Sequence, residues 1–262
     1  MDINETNVRL WSRFGPRAVY GQAMLALAEK CPNVLAMSAD LSNASGLAPF
    51  SRKYPKQFIN TGIAEQNLIG VSAGLAKEGF IPFVSSFAPF VSMRASEQIR
   101  MELGYMQFNV RVVALGSGLA MSFLGNSHYG LEDIAVMRTI PGLTIVSPSD
   151  CVEVVKVIQA AERYEGPMYI RLTGAVNNPI VNTTDYEYEI GKAIKLNKGD
   201  DVVIVSTGSM VAKSLDAAKI LAKKGIHAEV VNMHTIKPLD VDVLEEIVNA
   251  GKPMVSVEEH TV

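Results

Sequence analysis

Asn60-Thr61-Gly62-Ile63-Ala64-Glu65-Gln66-Asn67-Leu68-Ile69-Gly70 is the stretch that decides how the rest of the chain is read. Before it, Lys56 to Asn60 reads as a short strand. After it, Leu68, Val71, Leu75 and Ala76 recur at helical spacing, so a helix begins near Ala64. Glu65 then stands in the first helical turn, just past a strand end, where the loops of an α/β domain carry chemistry. A glutamate in that position also answers the positive end of the helix macrodipole, for roughly 0.3–1 kcal/mol. Position alone therefore assigns Glu65 no reaction.

Working outward, Arg17 to Lys30 has helical apolar spacing and is ended by Pro32, and Asn33 to Met37 is an apolar run expected to be a buried strand. That strand opens into the polar loop Ser38 to Gly46. On the other side, strands are expected at Phe80–Ser85, Val110–Leu115, Thr144–Ser147 and Met168–Leu172, and helices at Val91–Tyr105, Leu131–Thr139 and Cys151–Tyr164. A polar connector around Asn177-Asn178-Pro179 separates this from a second α/β unit. There, strands at Val202–Ser206, His227–Val231 and Pro253–Val257 alternate with helices at Met210–Lys224 and Val241–Ala250. The fold class is α/β: two domains, each a mostly parallel sheet flanked by helices. The expected boundaries are 1–178, a linker 179–188, and 189–262. The second unit stops soon after a strand with no covering helix, so it is expected to be incomplete.

The chain has 262 residues, 48% hydrophobic and 19% charged, with a net charge of −3. That balance gives no reason to propose nucleic acid or anionic membrane as a partner. Cys31 and Cys151 lie far apart, without a CxxC or a cluster of ligand residues, which argues against disulfides and against a zinc site. Met1 to Glu5 lacks the features of a signal peptide, and no apolar run approaches the ~20 residues of a membrane span. A cytoplasmic location is expected.

Three loops leave strand ends in the first unit: the Asp40 loop, the Glu65 turn, and Gly116 to His128. In open α/β sheets such ends converge on one crevice, so Asp40, Glu65 and His128 are candidates for a common site. His128 is flanked by polar and glycine residues rather than an apolar face, although a loop-stapling role is open to it. Phe87 and Phe90 lie between a strand and a helix start; for Phe87 a core role is as good a reading as a site role. Gly116-Ser117-Gly118 is not a dinucleotide fingerprint, having no third glycine or helix at the required spacing.

Gly-Ile-Ala-Glu-Gln-Asn (Gly62 to Asn67) resembles the pyrimidine-domain glutamate motif of transketolases and other thiamine diphosphate enzymes. The resemblance continues in order through Ser38 to Leu41, Ser86 to Phe90, Arg94 to Arg100, Ser127-His128, Leu131 to Ala135 and Pro141 to Leu143. Ser206 to Ser209 and Glu258 to His260 resemble the transketolase C-terminal domain. The helix from Arg94 is similar to that of C-terminal subunits of split transketolases. The resemblance implies a thiamine diphosphate enzyme that transfers a two-carbon ketol unit from a ketose donor to an aldehyde acceptor. It also implies roles for individual residues. Glu65 hydrogen-bonds N1′ of the aminopyrimidine, an exchange suited to a buried, apolar-walled carboxyl. Phe90 stacks on the pyrimidine, with Asp40, Leu41, Phe87 and Met93 completing the cofactor-binding set. His128 contacts the donor or shuttles a proton, and Arg17 grips a sugar phosphate.

The family's Gly-Asp-Gly magnesium motif is missing; Gly199-Asp200-Asp201 lies in the wrong domain. The resemblance thus implies that this chain holds the aminopyrimidine half of the cofactor. An N-terminal transketolase-like subunit supplies the diphosphate and Mg2+ half, in an α2β2 heterotetramer with the site at the interface; this chain contributes no metal ligand. Four family positions depart from the pattern. A loop histidine falls on Gly116, a sugar-contacting aspartate on Leu124, a second phosphate arginine on Gly174, and a tyrosine on Met93. Such a site is expected to take a less hydroxylated or unphosphorylated substrate. The alternatives are a deoxyxylulose phosphate synthase-like or dehydrogenase beta subunit-like enzyme, or a non-catalytic structural subunit.

Overall fold

In the computed structural model, which describes residues 1–261, the first apolar run forms strand β1, Val34–Ser38, and all five of its residues are buried. A strand that is apolar on both parities needs a cover on both faces. Parallel to β1 run β2 (Phe58–Asn60) and β3 (Ile81–Phe87), and beyond β3 lie β4 (Arg111–Ser117), β6 (Met168–Thr173) and β5 (Thr144–Val146). The sheet has a seventh strand from far down the chain: β10 (Thr235–Lys237) pairs antiparallel with β5.

Side-chain alternation sorts the two faces. Val34, Phe83, Val113, Leu115, Ile170 and Leu172 pack with helices α1 (Glu5–Phe14), α2 (Pro16–Ala28), α3 (Ala48–Lys53) and α7 (Cys151–Arg163). Met37, Val84, Val112, Ala114 and Tyr169 point the other way. They pack with α4 (Glu65–Lys77), α6 (Asp133–Arg138), and a long helical segment from Phe90 to Tyr105. Only the centre of that segment, α5 (Ser96–Gln98), winds as a regular α-helix; Phe90–Arg94 and Ile99–Tyr105 have the wider π winding.

The second sheet has the order β11 (Met254–Val257), β8 (Val202–Ser206), β9 (Ala228–Asn232), β7 (Ile194–Lys195), with only β7 antiparallel. Ala218 of α8 (Met210–Ala222) packs on Ile204 and Val230 at one face, and Ile247 of α9 (Val241–Asn249) packs on Val203 and Val231 at the other. Both sheets therefore have helices on both faces, as the fold class requires.

Three local expectations are corrected. Helix α1, absent from the sequence reading, is capped by Asn4, whose side chain accepts from the Asn7 N–H, and buries Val8 and Trp11. Phe87 is the last residue of β3 and is buried, rather than lying between strand and helix. The expected helix over 131–139 starts only at Asp133, because Asp133 is drawn inward by Arg171. Both Arg171 Nε and the Tyr169 hydroxyl donate to Asp133 carboxylate oxygens, at 2.9 Å to Oδ2, and Arg171 is 1% exposed.

Candidate active site

Glu65 is the first residue of α4, and its carboxyl is carried beneath the C-terminal end of β3, where it is 2% exposed. A buried carboxylate needs partners. The Ser86 hydroxyl donates to Oε1 at 3.1 Å and the Arg94 guanidinium to Oε2 at 2.8 Å. The expected apolar wall is therefore corrected on one side: a guanidinium and a hydroxyl face the carboxyl. Neither residue was assigned a role from the sequence. Ser86 stands beside Phe87 at a strand end, but Arg94 lies 29 positions from its partner, a separation that carries no local signal.

The aromatic residues gather at the same strand end. Phe87 and Phe90 meet edge to face at 6.2 Å between centroids, and the His128 ring lies 5.4 Å from Phe87 and 5.2 Å from Phe90. Ser127 Oγ lies 3.0 Å from His128 Nδ1, and the guanidinium of Arg94 sits over Phe90, 4.6 Å from its centroid. Glu65, Ser86, Phe87, Phe90, Arg94 and His128 thus form one contiguous group.

Asp40 and Leu41 hold the neighbouring loop. Asp40 has φ +59, and the Asn60 carboxamide clips the loop to the Glu65 turn. Its Oδ1 accepts from the Asp40 and Gly62 N–H groups, and its Nδ2 donates to Asp40 Oδ1 at 3.1 Å. The Leu41 N–H donates to Ser38 Oγ at 2.8 Å. Arg17 is partly buried, which lowers its pKa, and it donates to the Ala44 carbonyl of this loop. Met93 is half exposed. Among the described residues no hydrogen bond joins Asp40, Leu41, Met93 or Arg17 to Glu65 or His128, so the structure places these four around the group rather than in it.

Two of the departures from the family pattern are built into the backbone. Gly116 has φ +64, and a Cβ there would stand 2.3 Å from Met121 Cγ. Gly174 has φ +87, and its Cβ would stand 2.2 Å from Asn178 Nδ2. Both conformations favour glycine. Leu124 is exposed on a short helical turn. No group of three or more His, Cys, Asp or Glu side chains suited to a metal ion occurs among the described residues, and no described helix is long and apolar enough to cross a membrane.

The sequence pattern of the family described as "Transketolase, pyrimidine binding domain" matches residues 14–175, and that of "Transketolase, C-terminal domain" matches residues 191–262. The chain belongs to the transketolase family. Its relatives include the putative transketolase C-terminal section of Methanocaldococcus jannaschii, 41% identical over 95% of this chain and 78% of that protein. The 6-deoxy-6-sulfo-D-fructose transketolase subunit SqwH of Clostridium sp. is 40% identical over 90% of this chain and 73% of that protein. A solved structure described as a split gene transketolase, inactive beta4 tetramer, superposes with a TM-score of 0.86 at 40% identity, covering 94% of this chain and 80% of that one. The chain is a transketolase-type subunit, and transketolases are transferases; thiamine diphosphate dependence follows from the family.

Proposed function

We propose that this chain is the pyrimidine-binding subunit of a two-chain transketolase that moves a two-carbon ketol unit from a ketose donor to an aldehyde acceptor. The observation that carries the proposal is the buried Glu65 carboxyl joined through Arg94 to Phe90, which in turn meets Phe87 and His128. A carboxyl beside an aromatic face fits an aminopyrimidine, which offers a ring nitrogen to the acid and a flat surface to the ring. When bound, thiamine diphosphate supplies a nucleophilic carbon and an electron sink for carbon–carbon cleavage. Glu65 holds the proton exchanged with N1′. Ser86 helps to fix the Glu65 rotamer through Oε1, which leaves Oε2, held by Arg94 in this structure, as the oxygen to offer. Phe90 presents the stacking face, and Phe87 supports it from the core. His128, partly exposed at the mouth of the group, hydrogen-bonds the donor or passes a proton to it.

The diphosphate half and its Mg2+ are assigned to a partner subunit, because the family's Gly-Asp-Gly motif is missing from this sequence. A surface fit for that partner flanks Glu65. Ile63 is 78% exposed, with Val71, Met93, Met101, Tyr105 and Met106 also exposed. On α4, Gly70 and Gly74 have open space where a side chain would stand. Interior helix glycines cost about 1 kcal/mol each relative to alanine, and a large exposed apolar area marks an interaction face. An α2β2 assembly would bury it.

The test is reconstitution with a diphosphate-binding subunit. Glu65→Gln is expected to leave the fold intact by circular dichroism and to reduce ketol transfer at least a hundredfold, in line with the effect of general acid–base groups. A variant retaining a tenth of wild-type turnover would refute the assignment. The isolated chain is expected to bind thiamine diphosphate weakly, and micromolar binding by calorimetry in the absence of other protein would contradict the division of the site between two chains.

A further inference from the structure

Arg94 is half exposed, yet its guanidinium is committed twice. It donates to Glu65 Oε2 at 2.8 Å, and its Cζ lies over the Phe90 ring, 4.6 Å from the centroid. An arginine with that much access to water gains little from an ion pair, typically 0–1 kcal/mol. Glu65 does depend on the contact, since its other oxygen is already taken by Ser86 and burial leaves it little water.

The guanidinium is planar, carries N–H donors in its own plane, and stacks well on aromatic faces. An aminopyrimidine makes the same pair of demands: a hydrogen bond in the ring plane to a carboxylate, and a ring face to lie on. Glu65 has one oxygen to give, and Arg94 spans from that oxygen to the Phe90 face, so the two planar groups compete for one place. Arg94 is also carried on the π-wound stretch Phe90–Arg94, where the Ala95 N–H bonds back to Phe90 O at 3.3 Å. Such wide turns are rare, have poor helical bonding, and occur often at functional positions.

We propose that Arg94 is an internal surrogate for the aminopyrimidine: it fills the position between Glu65 and Phe90 in the cofactor-free chain and swings out when the cofactor enters. The inference rests on the pyrimidine-binding role argued above. Arg94 is thus a positioning residue. It keeps the Glu65 carboxyl in the rotamer that the cofactor needs, at the cost of having to be displaced.

The experiment compares the wild type, Arg94→Met, which keeps the aliphatic bulk without the donors, and Arg94→Gln as a second variant. Each is reconstituted with the diphosphate-binding subunit and titrated with thiamine diphosphate in the presence of Mg2+ by calorimetry. Removing the competitor is expected to tighten binding about two- to fivefold, the range that an exposed ion pair allows. In parallel, the free chain with 15N-labelled arginine is expected to show a protected Arg94 side-chain signal that is lost in Glu65→Gln, and lost in the wild-type complex on cofactor addition. If both Arg94 variants bind the cofactor with unchanged or weaker affinity, the surrogate role is overturned and the pyrimidine-binding role stands. If wild type and variants alike fail to bind in an assembled complex, the pyrimidine-binding role falls, and the surrogate role with it.

Discussion

Gly116 lies near the end of β4 and Leu124 in the loop that carries His128, and their environments differ in a way that bears on substrate choice. A histidine at Gly116 would have to adopt a left-handed backbone and displace the buried side chain of Met121. Such strain costs of order 1–3 kcal/mol. Gly116→His is therefore expected to lower stability by about that amount in urea unfolding, and a double variant that includes it is a poor test of specificity. Leu124 is exposed, so Leu124→Asp should change stability by less than about 0.5 kcal/mol. Each substrate hydroxyl left without a partner costs about 1–3 kcal/mol. Xylulose 5-phosphate is accordingly expected to be a poor donor for the wild-type complex, and Leu124→Asp alone to raise its kcat/KM. Wild-type turnover of xylulose 5-phosphate and ribose 5-phosphate at ordinary transketolase efficiency would refute this view of the pocket.

At the level of single elements, the N-terminus of α7 shows how a buried polar group ties the two sheets together. Asp150 caps the helix and also accepts from the Val181 and Asn182 N–H groups. Burial, with the Glu153 charge beside it, pushes its carboxyl up to about 6. Glu153 is fully buried, its pKa raised by desolvation, and it accepts from Asn232 of β9. Nearby, His234 stacks on Tyr188 at 4.4 Å, and burial pushes it down to about 4. The two groups act with opposite sign. Asp150 binds its proton more tightly in the folded state, so its contribution is full below pH 4 and is lost as pH rises to about 6. His234 binds its proton less tightly when folded, so its contribution is full above about 6.5 and is lost as pH falls toward 4. Each amounts to about 3 kcal/mol across its range. His234→Gln is expected to make stability fall more steeply with rising pH between 4 and 6.5 than in wild type, and Asp150→Asn to do the reverse. Urea unfolding at several pH values in that interval decides the matter; parallel profiles for all three proteins would contradict it.

Elements with strong periodicity were the legible ones. The strand–turn–helix around Glu65 declares itself in Leu68, Val71 and Leu75, and the gathering of Glu65 with His128 follows from strand ends that share an edge. Helix α1 was not legible because its buried stripe is narrow: only Val8 and Trp11 are buried, while Leu10 and Phe14 are exposed. The π winding around α5 leaves the apolar pattern of a helix unchanged, so Phe90–Tyr105 reads as ordinary helix. The Arg94–Glu65 pair joins two elements that are each locally complete, and nothing within either points to the other.

Over the whole molecule, two further fastenings join the domains. One is Arg171, fully buried in β6, which donates to the carbonyls of Gly130 and Glu259 as well as to Asp133. Glu259 in turn accepts from the Leu119 N–H and the Ser209 hydroxyl, so the C-terminal domain braces the loop that bears His128. Arg171→Met would leave Asp133 buried without its counter-charge. Breaking a buried pair on one side costs about 3–5 kcal/mol, and a drop of that size in equilibrium unfolding is expected. A loss below 1 kcal/mol would mean that the network is not structural.

The second fastening is the short strand β10, which the C-terminal domain lends to the edge of the pyrimidine domain's sheet beside β5. Its consequence concerns how such proteins can be cut and recombined. A fragment ending in the connector would expose the backbone donors and acceptors of β5, and bare edges recruit other strands. Residues 1–190 alone are expected to sediment as aggregates and to be rescued by the remaining residues supplied in trans. A chimaera that swaps pyrimidine domains between relatives must therefore carry Thr235–Lys237 with the sheet it closes. In this chain the unit of exchange does not coincide with the boundary drawn along the sequence.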